Sequence, residues 1–196
     1  MLCLFLTFER APAQVPRFDI ALAHTPDRAR DPYLDDGAPP ALVVQAYFAS
    51  LQELEAAAQE NAALECAAQA FSAVVFPVPE PGKPRERYCS YLVTYDGPAE
   101  DADAWHAYYL AHHPPLMTKL PGIRALEVYR PVAWRAPPGW KQQSCLQRNK
   151  VVFDDPEALS AALDSPVRRE MRADFAKLPR FTGRVTHYAM VTKALP

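Results

Sequence analysis

Length, composition and charge describe a chain that can fold around its own apolar core. The chain has 196 residues, of which 49 % are hydrophobic and 22 % are charged, so it can fill one large core or two small ones without disulfides or metal ions. Twenty-one basic residues against 23 acidic ones give a net charge of -2, which supplies no positive field to bind a phosphate backbone. We therefore expect no nucleic-acid partner.

The first ten residues, MLCLFLTFER, predict a β-strand. They lack a basic segment and a small-residue cleavage site, and they are too short to span a bilayer. We expect neither a signal peptide nor a membrane partner. The four cysteines, at positions 3, 66, 89 and 145, have no metal-ligand spacing, which is typical of reduced thiols and predicts a cytoplasmic protein.

A proline-rich segment divides the chain into two halves. Residues 77–87, PVPEPGKPRER, contain four prolines and one glycine, which neither a helix interior nor a central strand accepts. We interpret this segment as a linker between a first domain at 1–80 and a second at 87–196.

The two halves share a pattern of strand, helix cap and helix. Residues 6–9, LTFE, align with residues 93–96, VTYD, at an offset of 87, and FASLQELEAA at 48–57 aligns with FDDPEALSAA at 153–162, at an offset of 105. The second half therefore has 18 extra residues between the two segments, the length of about one helix with its turns. We predict an internal repeat whose first copy has lost its first helix.

This pattern predicts an α+β fold. The second half has the order β-α-β-β-α-β, with strands at 88–95, 124–130, 148–153 and 183–192, one helix at 101 to about 113, and helices from 156 and 166. The first half has the order β-β-β-α-β, so both are expected to be ferredoxin-like, with antiparallel sheets. The last strand is not cleanly polar on either side, so we expect the sheets to pack face to face into an intramolecular α/β barrel.

Residues 105–122, WHAYYLAHHPPLMTKLPG, carry the strongest functional signal. A helix here presents Trp105, Tyr109 and His113 along one side. Pro114 and Pro115 cannot donate the helical hydrogen bonds, so they are predicted to end or kink the helix at the histidines. The helix dipole would favour the cationic imidazole and could raise its pKa into the working range.

The motif resembles the central motif of the EthD family, within the dimeric α/β-barrel superfamily. Nine positions fall on it: Trp105, Tyr108, Tyr109, His113, Pro115, Leu116, Leu120, Pro121 and Gly122. The later segment from Val151 is similar to the Phe-Asp-x-x-Glu-Ala segment of the family, and the resemblance covers about 88–192. The chain departs from the pattern at Tyr109, where tryptophan is more usual, and at Pro114, where a small residue is common.

The resemblance implies degradation of ethers or aromatic compounds, or cofactor-free tailoring of polyketide aromatics. We predict a cofactor-free enzyme that binds an aromatic, polyketide-like or xenobiotic apolar molecule, with His113 as general acid or base and Tyr109 as its hydrogen-bonding partner. The predicted substrate-binding residues are Trp105, Tyr108, Leu116 and His187. A metal is not expected, because His106 and His113 lie two turns apart, and no glycine-rich phosphate loop occurs.

Several alternatives stay open. His113 could instead cap the helix end against a carbonyl, and the aromatic residues could be core. The chain could be a non-catalytic binding or accessory protein for a hydrophobic metabolite in a degradation pathway, or could have lost its chemistry. A homodimer is also left open.

A second titratable group should face His113 if it transfers protons, and the candidates are His187, Asp96 and Glu127. The loops at 24–40 and 133–144 are long enough to form lids over the cavity.

Overall fold

The computed structural model describes residues 1–29, 31, 34–82 and 86–195. Within these residues the strands are β1 (Leu2–Phe8), β2 (Ala21–Pro26), β3 (Leu42–Phe48), β4 (Ala67–Phe76), β5 (Tyr88–Tyr95), β6 (Ile123–Pro131), β7 (Lys141–Gln142), β8 (Gln147–Phe153) and β9 (Val185–Ala194). The helices are α1 (Leu51–Glu60), α2 (Ala102–Met117), α3 (Pro156–Leu163) and α4 (Pro166–Phe175).

Eight of these strands form a closed antiparallel barrel. Their order is β1-β3-β2-β9-β5-β8-β6-β4, and β4 pairs again with β1 to close the ring. The short strand β7 adds to β4 in parallel. Closure satisfies the backbone groups that an open sheet would leave at its edges. The predicted α+β barrel within one chain is therefore confirmed.

The elements of the second half match their predicted positions closely. The strand at 88–95 and the helices beginning at 156 and 166 occur as predicted, whereas the last strand lies two residues later than expected. Asp155 caps α3 by accepting from the backbone N–H of Ala158, and Ser50 caps α1 by accepting from that of Glu53. In the predicted linker, residues 83–85 lie outside the described residues.

The end of α2 differs from its prediction. The helix continues through Pro114 and Pro115 to Met117 instead of ending at the histidines. The prolines remove donors only for the carbonyls of Leu110 and Ala111, which are half-buried and exposed, so solvent can replace the missing donors. The backbone N–H of Thr118 then bonds the Pro114 carbonyl, so the last turn still closes.

Side chains on the two faces of the strands form separate cores. On the outer face, α1 packs over the first-half strands, and α2, α3 and α4 pack over β5, β6, β8 and β9. On the inner face, apolar side chains such as Phe5, Phe71, Leu92 and Met190 fill the barrel. Among the described residues no helix is long and apolar enough to cross a membrane.

Candidate functional site

A cavity of about 340 Å³ lies between the outer face of the barrel and the helices of the second half. It is bounded by β5, β9, α2, α4 and the loop between β2 and β3. Its apolar lining is Leu34, Tyr91, Tyr95, Leu120, Leu163, Met171, Phe175 and Val185. Its polar lining is Asp31, His113, Arg168, Arg172 and His187. The volume lies at the lower end of the usual range for small-molecule sites.

His113 is held against the cavity by a carboxylate. Its Nδ1 donates a hydrogen bond to Oδ2 of Asp174 at 2.8 Å, and the hydroxyl of Tyr108 donates to Oδ1 of the same carboxylate at 3.3 Å. A carboxylate only accepts, so the neutral imidazole carries its proton on Nδ1 and its lone pair on Nε2. Within the described part of the chain Nε2 has no hydrogen-bond partner, which leaves it available to a bound molecule.

Burial lowers the pKa of His113 below its usual value of 6.5, although the hydrogen bond and the charge of Asp174 act in the opposite direction. The predicted upward shift from the helix dipole is therefore wrong: loss of solvent outweighs it. The imidazole is neutral at pH 7 and can accept a proton. Its preference for the neutral form adds stability that is lost as pH falls from about 6.5 through the lower pKa of the folded state.

A second histidine, His187, lines the same cavity and is also held by an aspartate. Nδ1 of His187 donates to Oδ2 of Asp36 at 2.9 Å, and the backbone N–H of His187 donates to the same oxygen at 2.8 Å. The ring stacks on Tyr91 with 5.7 Å between centroids. Two imidazoles, each oriented by an aspartate at Nδ1, thus face one cavity, and the charge of His187 contributes to the lowered pKa of His113.

Four of the predicted site residues do not line this cavity. Trp105 and Tyr109 are fully buried and stack on each other in the core beneath α2, 5.1 Å between centroids. The hydroxyl of Tyr109 accepts from Nδ2 of Asn149 at 2.6 Å and makes no hydrogen bond to His113, so the predicted pairing is wrong. Leu116 is half-buried outside the cavity.

Tyr108 also lies outside the cavity lining, and it contacts the site only through its hydrogen bond to Asp174. The ring of Tyr109 lies 5.0 Å from that of His113 at an angle of 38°, so Tyr109 supports the imidazole by packing. The polar partner of His113 is therefore an aspartate from another helix.

Of the three candidates for a second titratable group, His187 shares the cavity with His113. Glu127 points into the barrel and pairs with Lys150, and Asp96 lines a different pocket at one end of the barrel. Sequence reasoning missed Asp174. A signal for it exists, because Val167, Met171, Asp174 and Leu178 follow a four-three-four spacing, which places one acidic residue on the apolar stripe of α4.

The loops predicted as lids have different positions. From the 24–40 loop, Asp31, Leu34 and Asp36 reach the cavity or its histidine, whereas residues 30, 32 and 33 lie outside the described residues. The 133–144 loop lines a separate surface pocket together with Gly97 and Leu146, so it does not cover His113. Among the described residues no cluster of three or more histidine, cysteine or acidic side chains is placed to hold a metal ion.

Comparison with known proteins identifies the segment that contains His113. Residues 97–179 match the EthD domain. No curated protein matches the chain by sequence. The solved structure of an anthrone oxidase-like protein covers 98 % of this chain and 92 % of its own, with 13 % identity and a TM-score of 0.56, a likeness of fold.

The structure of an EthD family protein from Bacillus halodurans is 25 % identical over 50 % of this chain and 96 % of its own, with a TM-score of 0.39. The matched EthD segment holds α2, α3 and α4, and with them both members of the His113–Asp174 pair. Residues 97–179 therefore match the EthD domain, as their motif predicted, and they form part of a barrel that the whole chain closes.

Proposed function

We propose that the chain is a cofactor-free enzyme that binds an aromatic or polyketide-like apolar molecule in the cavity and transfers a proton to or from it. The observation that supports this best is Nε2 of His113, which has no partner among the described residues and lies on a largely apolar cavity, with Nδ1 held by Asp174. The match of this segment to the EthD domain supports the same substrate class. The alternative is a non-catalytic binding or accessory protein for such a molecule.

The environment of His113 favours a general base. A neutral imidazole at pH 7 can accept a proton at Nε2, and the imidazolium that results is stabilised by the carboxylate of Asp174 at 2.8 Å. In an apolar cavity this charge stabilisation is stronger than in water. Asp174 is a positioning residue, because it acts through His113.

The cavity wall favours an apolar substrate with one polar group. Leu34 and Phe175 are 42 % and 37 % exposed although both line the cavity, so they place apolar surface at its entrance. An aromatic molecule could bury its rings against Met171 and Phe175. We assign His187, beside Tyr91, to binding an oxygen atom of the substrate.

Anthrone provides a direct test, since its three fused rings carry an acidic C–H and a carbonyl. A base that removes a C10 proton leaves an anthrolate, whose negative charge resides on the oxygen, and a deuteron from solvent returns to C10. In D₂O without oxygen, the protein should accelerate loss of the C10 proton signal in NMR spectra. We expect His113→Gln to slow this exchange about 10²- to 10⁴-fold.

The matched control is His112→Gln, because His112 is exposed and adjacent in sequence. This variant should exchange anthrone at the wild-type rate. The wild-type exchange rate should fall as pH decreases through the lowered pKa of His113. Asp174→Asn removes a carboxylate that raises this pKa, so the midpoint of the pH–rate profile should move to still lower pH. Saturable anthrone binding with no acceleration by the wild type would instead support the binding-protein alternative.

We also infer that the barrel is a tandem of two ferredoxin-like halves, at 1–80 and 87–196. The strand order within the first half is β4-β1-β3-β2, and within the second half it is β9-β5-β8-β6. With the short strand β7 left out and the strands of each half numbered separately, both orders read 4-1-3-2. The halves join through β2–β9 and β4–β6.

A split chain tests this inference. Residues 1–80 and 87–196, expressed together as two polypeptides, should form a 1:1 complex, because their sheets cover and close each other. The measurement is the mass of the complex by light scattering, with anthrone binding as a check of the cavity. Separate halves that fail to associate would contradict the tandem.

A further inference from the structure

We infer that one end of the barrel holds a second small-molecule site, built on Arg148, that binds a small carboxylate. A pocket of about 170 Å³ opens there on the inner face of the barrel. It is separate from the His113 cavity, which lies on the outer face, and no lining residue is common to the two. The loop between β2 and β3 contributes Ala38 and Pro40 to it.

Arg148 is a buried cation that pairs with no carboxylate in the described part of the chain. It is 9 % exposed, and among the described residues no carboxylate lies within 4.0 Å of its guanidinium. Its Nη2 donates to Oε1 of Gln143 at 3.0 Å, and its Nε is buried with no partner in the described part of the chain. The guanidinium lies 4.9 Å from the ring centroid of Phe5 and 5.8 Å from that of Phe71, which offsets part of the cost of its burial.

The next residue on the inner face of β8 shows the contrast. Lys150 is also buried, but its Nζ lies 2.8 Å from a carboxylate oxygen of Glu127. The described residues thus supply a counter-ion to Lys150 and none to Arg148. A buried cation that lacks its counter-ion is costly, so an external anion is favoured at Arg148.

Four residues that carry hydroxyl groups line the same pocket as Arg148. Thr94 on β5 lies directly opposite Arg148 on one side and opposite Thr186 on the other, and Thr7 and Tyr188 complete the wall. The hydroxyls of Thr7 and Tyr188 donate to Oε1 of Gln143 and to the Asp36 carbonyl. The hydroxyls of Thr94 and Thr186, in a pocket with a guanidinium, are suited to a carboxylate, which accepts two parallel bonds from arginine. The proposed proton transfer uses none of these residues.

Two acidic residues restrict the ligand. Glu9 and Asp96 also line the pocket, and both are exposed at its solvent side. Their charges repel a second negative group on the ligand, so a monocarboxylate should bind better than a dicarboxylate of similar length. The small volume excludes nucleotides and other large anions.

Sodium propionate is the probe that tests this site. In ¹H–¹⁵N NMR spectra of the wild-type chain, propionate should cause saturable shifts at Thr7, Thr94 and Thr186, with a Kd in the millimolar range. Arg148→Met should weaken binding about tenfold or more, since it removes charge-assisted hydrogen bonds. Methionine can fill the space between the rings without a buried charge, so this variant should keep its fold and its thermal stability.

Three controls test the charge preference, the size preference and the location of the site. Propionamide, the neutral isostere, should cause none of these shifts, and succinate should bind more weakly than propionate. His113→Gln should bind propionate as the wild type does, because the sites are distinct. Absence of saturable shifts in the wild type, or equal propionate binding by Arg148→Met, would overturn the inference.

Discussion

Replacement of Lys150 by methionine is expected to lower the free energy of unfolding by about 3–5 kcal/mol. Lys150 is 2 % exposed, and its Nζ donates to the hydroxyl of Tyr47 at 2.6 Å and to Oε1 of Gln45 at 3.2 Å besides pairing with Glu127. The variant leaves the Glu127 carboxylate buried without its cation. Urea unfolding followed by tryptophan fluorescence measures the loss.

Two further variants distinguish a buried ion pair from a general effect of charge. Lys119→Met removes an exposed pair with Glu170, 3.8 Å apart, and should cost less than about 1 kcal/mol. Lys150→Met combined with Glu127→Leu should recover much of the stability, since it removes the orphaned carboxylate. If the Lys150→Met protein were as stable as the Lys119→Met protein, the stabilising role of the buried Lys150–Glu127 pair would be contradicted.

The pH dependence provides an independent measurement of the same pair. Burial by itself would raise the pKa of Glu127, but the charge and hydrogen bond of Lys150 outweigh it, so the pKa is lowered. In the wild type this pair adds stability above about pH 4.3, the unfolded value, which is lost as pH falls through the folded pKa. In Lys150→Met the Glu127 carboxyl has no cation beside it, so burial favours its protonated form in the folded state. The difference in free energy of unfolding between the wild type and this variant should therefore shrink as pH falls from 7 to about 4.

Local signals were sufficient to predict most elements of the second half. The helix cap at Asp155 and the strand composition at 88–95 act over a few residues, and the structure contains the predicted helix and the predicted strand. The internal offset of 87 then 105 indicated where a helix is absent from the first half, and the first half indeed forms β1, β2, β3, α1 and β4 in that order. The barrel was predictable because the last strand has no purely polar face, which indicated that both of its faces are covered.

The site was only partly predictable, because its contacts join distant parts of the chain. His113 and Asp174 are 61 positions apart, and His187 and Asp36 are 151 apart. Spacing within one helix placed Tyr109 beside His113 correctly but could not show that its hydroxyl is bound by Asn149 from β8. The sequence also could not show that the helix would continue past Pro114, because that depends on whether solvent reaches the carbonyls of Leu110 and Ala111.

Whether the other candidate residues reach the cavity depends on the face of the strand that each side chain occupies. Glu127 alternates with Leu126 and Val128, whose side chains pack beneath the helices, so the carboxylate faces the barrel interior. His187 lies on the helix side of β9 and reaches the cavity. Which face of a strand is the outer one depends on how the barrel closes, and local periodicity does not contain that information.

Replacement of Trp105 by alanine should cost about 3–5 kcal/mol of stability and leave the ligand preference of the remaining folded protein unchanged. Trp105 is fully buried, stacks on Tyr109, and contacts the rings of Tyr95 and Phe181 edge-on. It fills the core on which the His113 helix rests and does not line the cavity. Urea unfolding and anthrone binding by fluorescence quenching give the two readouts.

Two companion variants separate packing from ligand contact. Trp105→Phe retains most of the buried ring and removes an indole N–H that has no partner among the described residues, so it should lose much less stability than Trp105→Ala. Met171→Ala, at a half-buried position on the cavity wall, should weaken anthrone binding with a smaller loss of stability. If Trp105→Ala were as stable as the wild type but bound anthrone poorly, Trp105 would belong to the ligand site, as its position in the motif first suggested. If Trp105→Ala lost stability but still bound anthrone, the role of Trp105 would be to fill the core that orients His113.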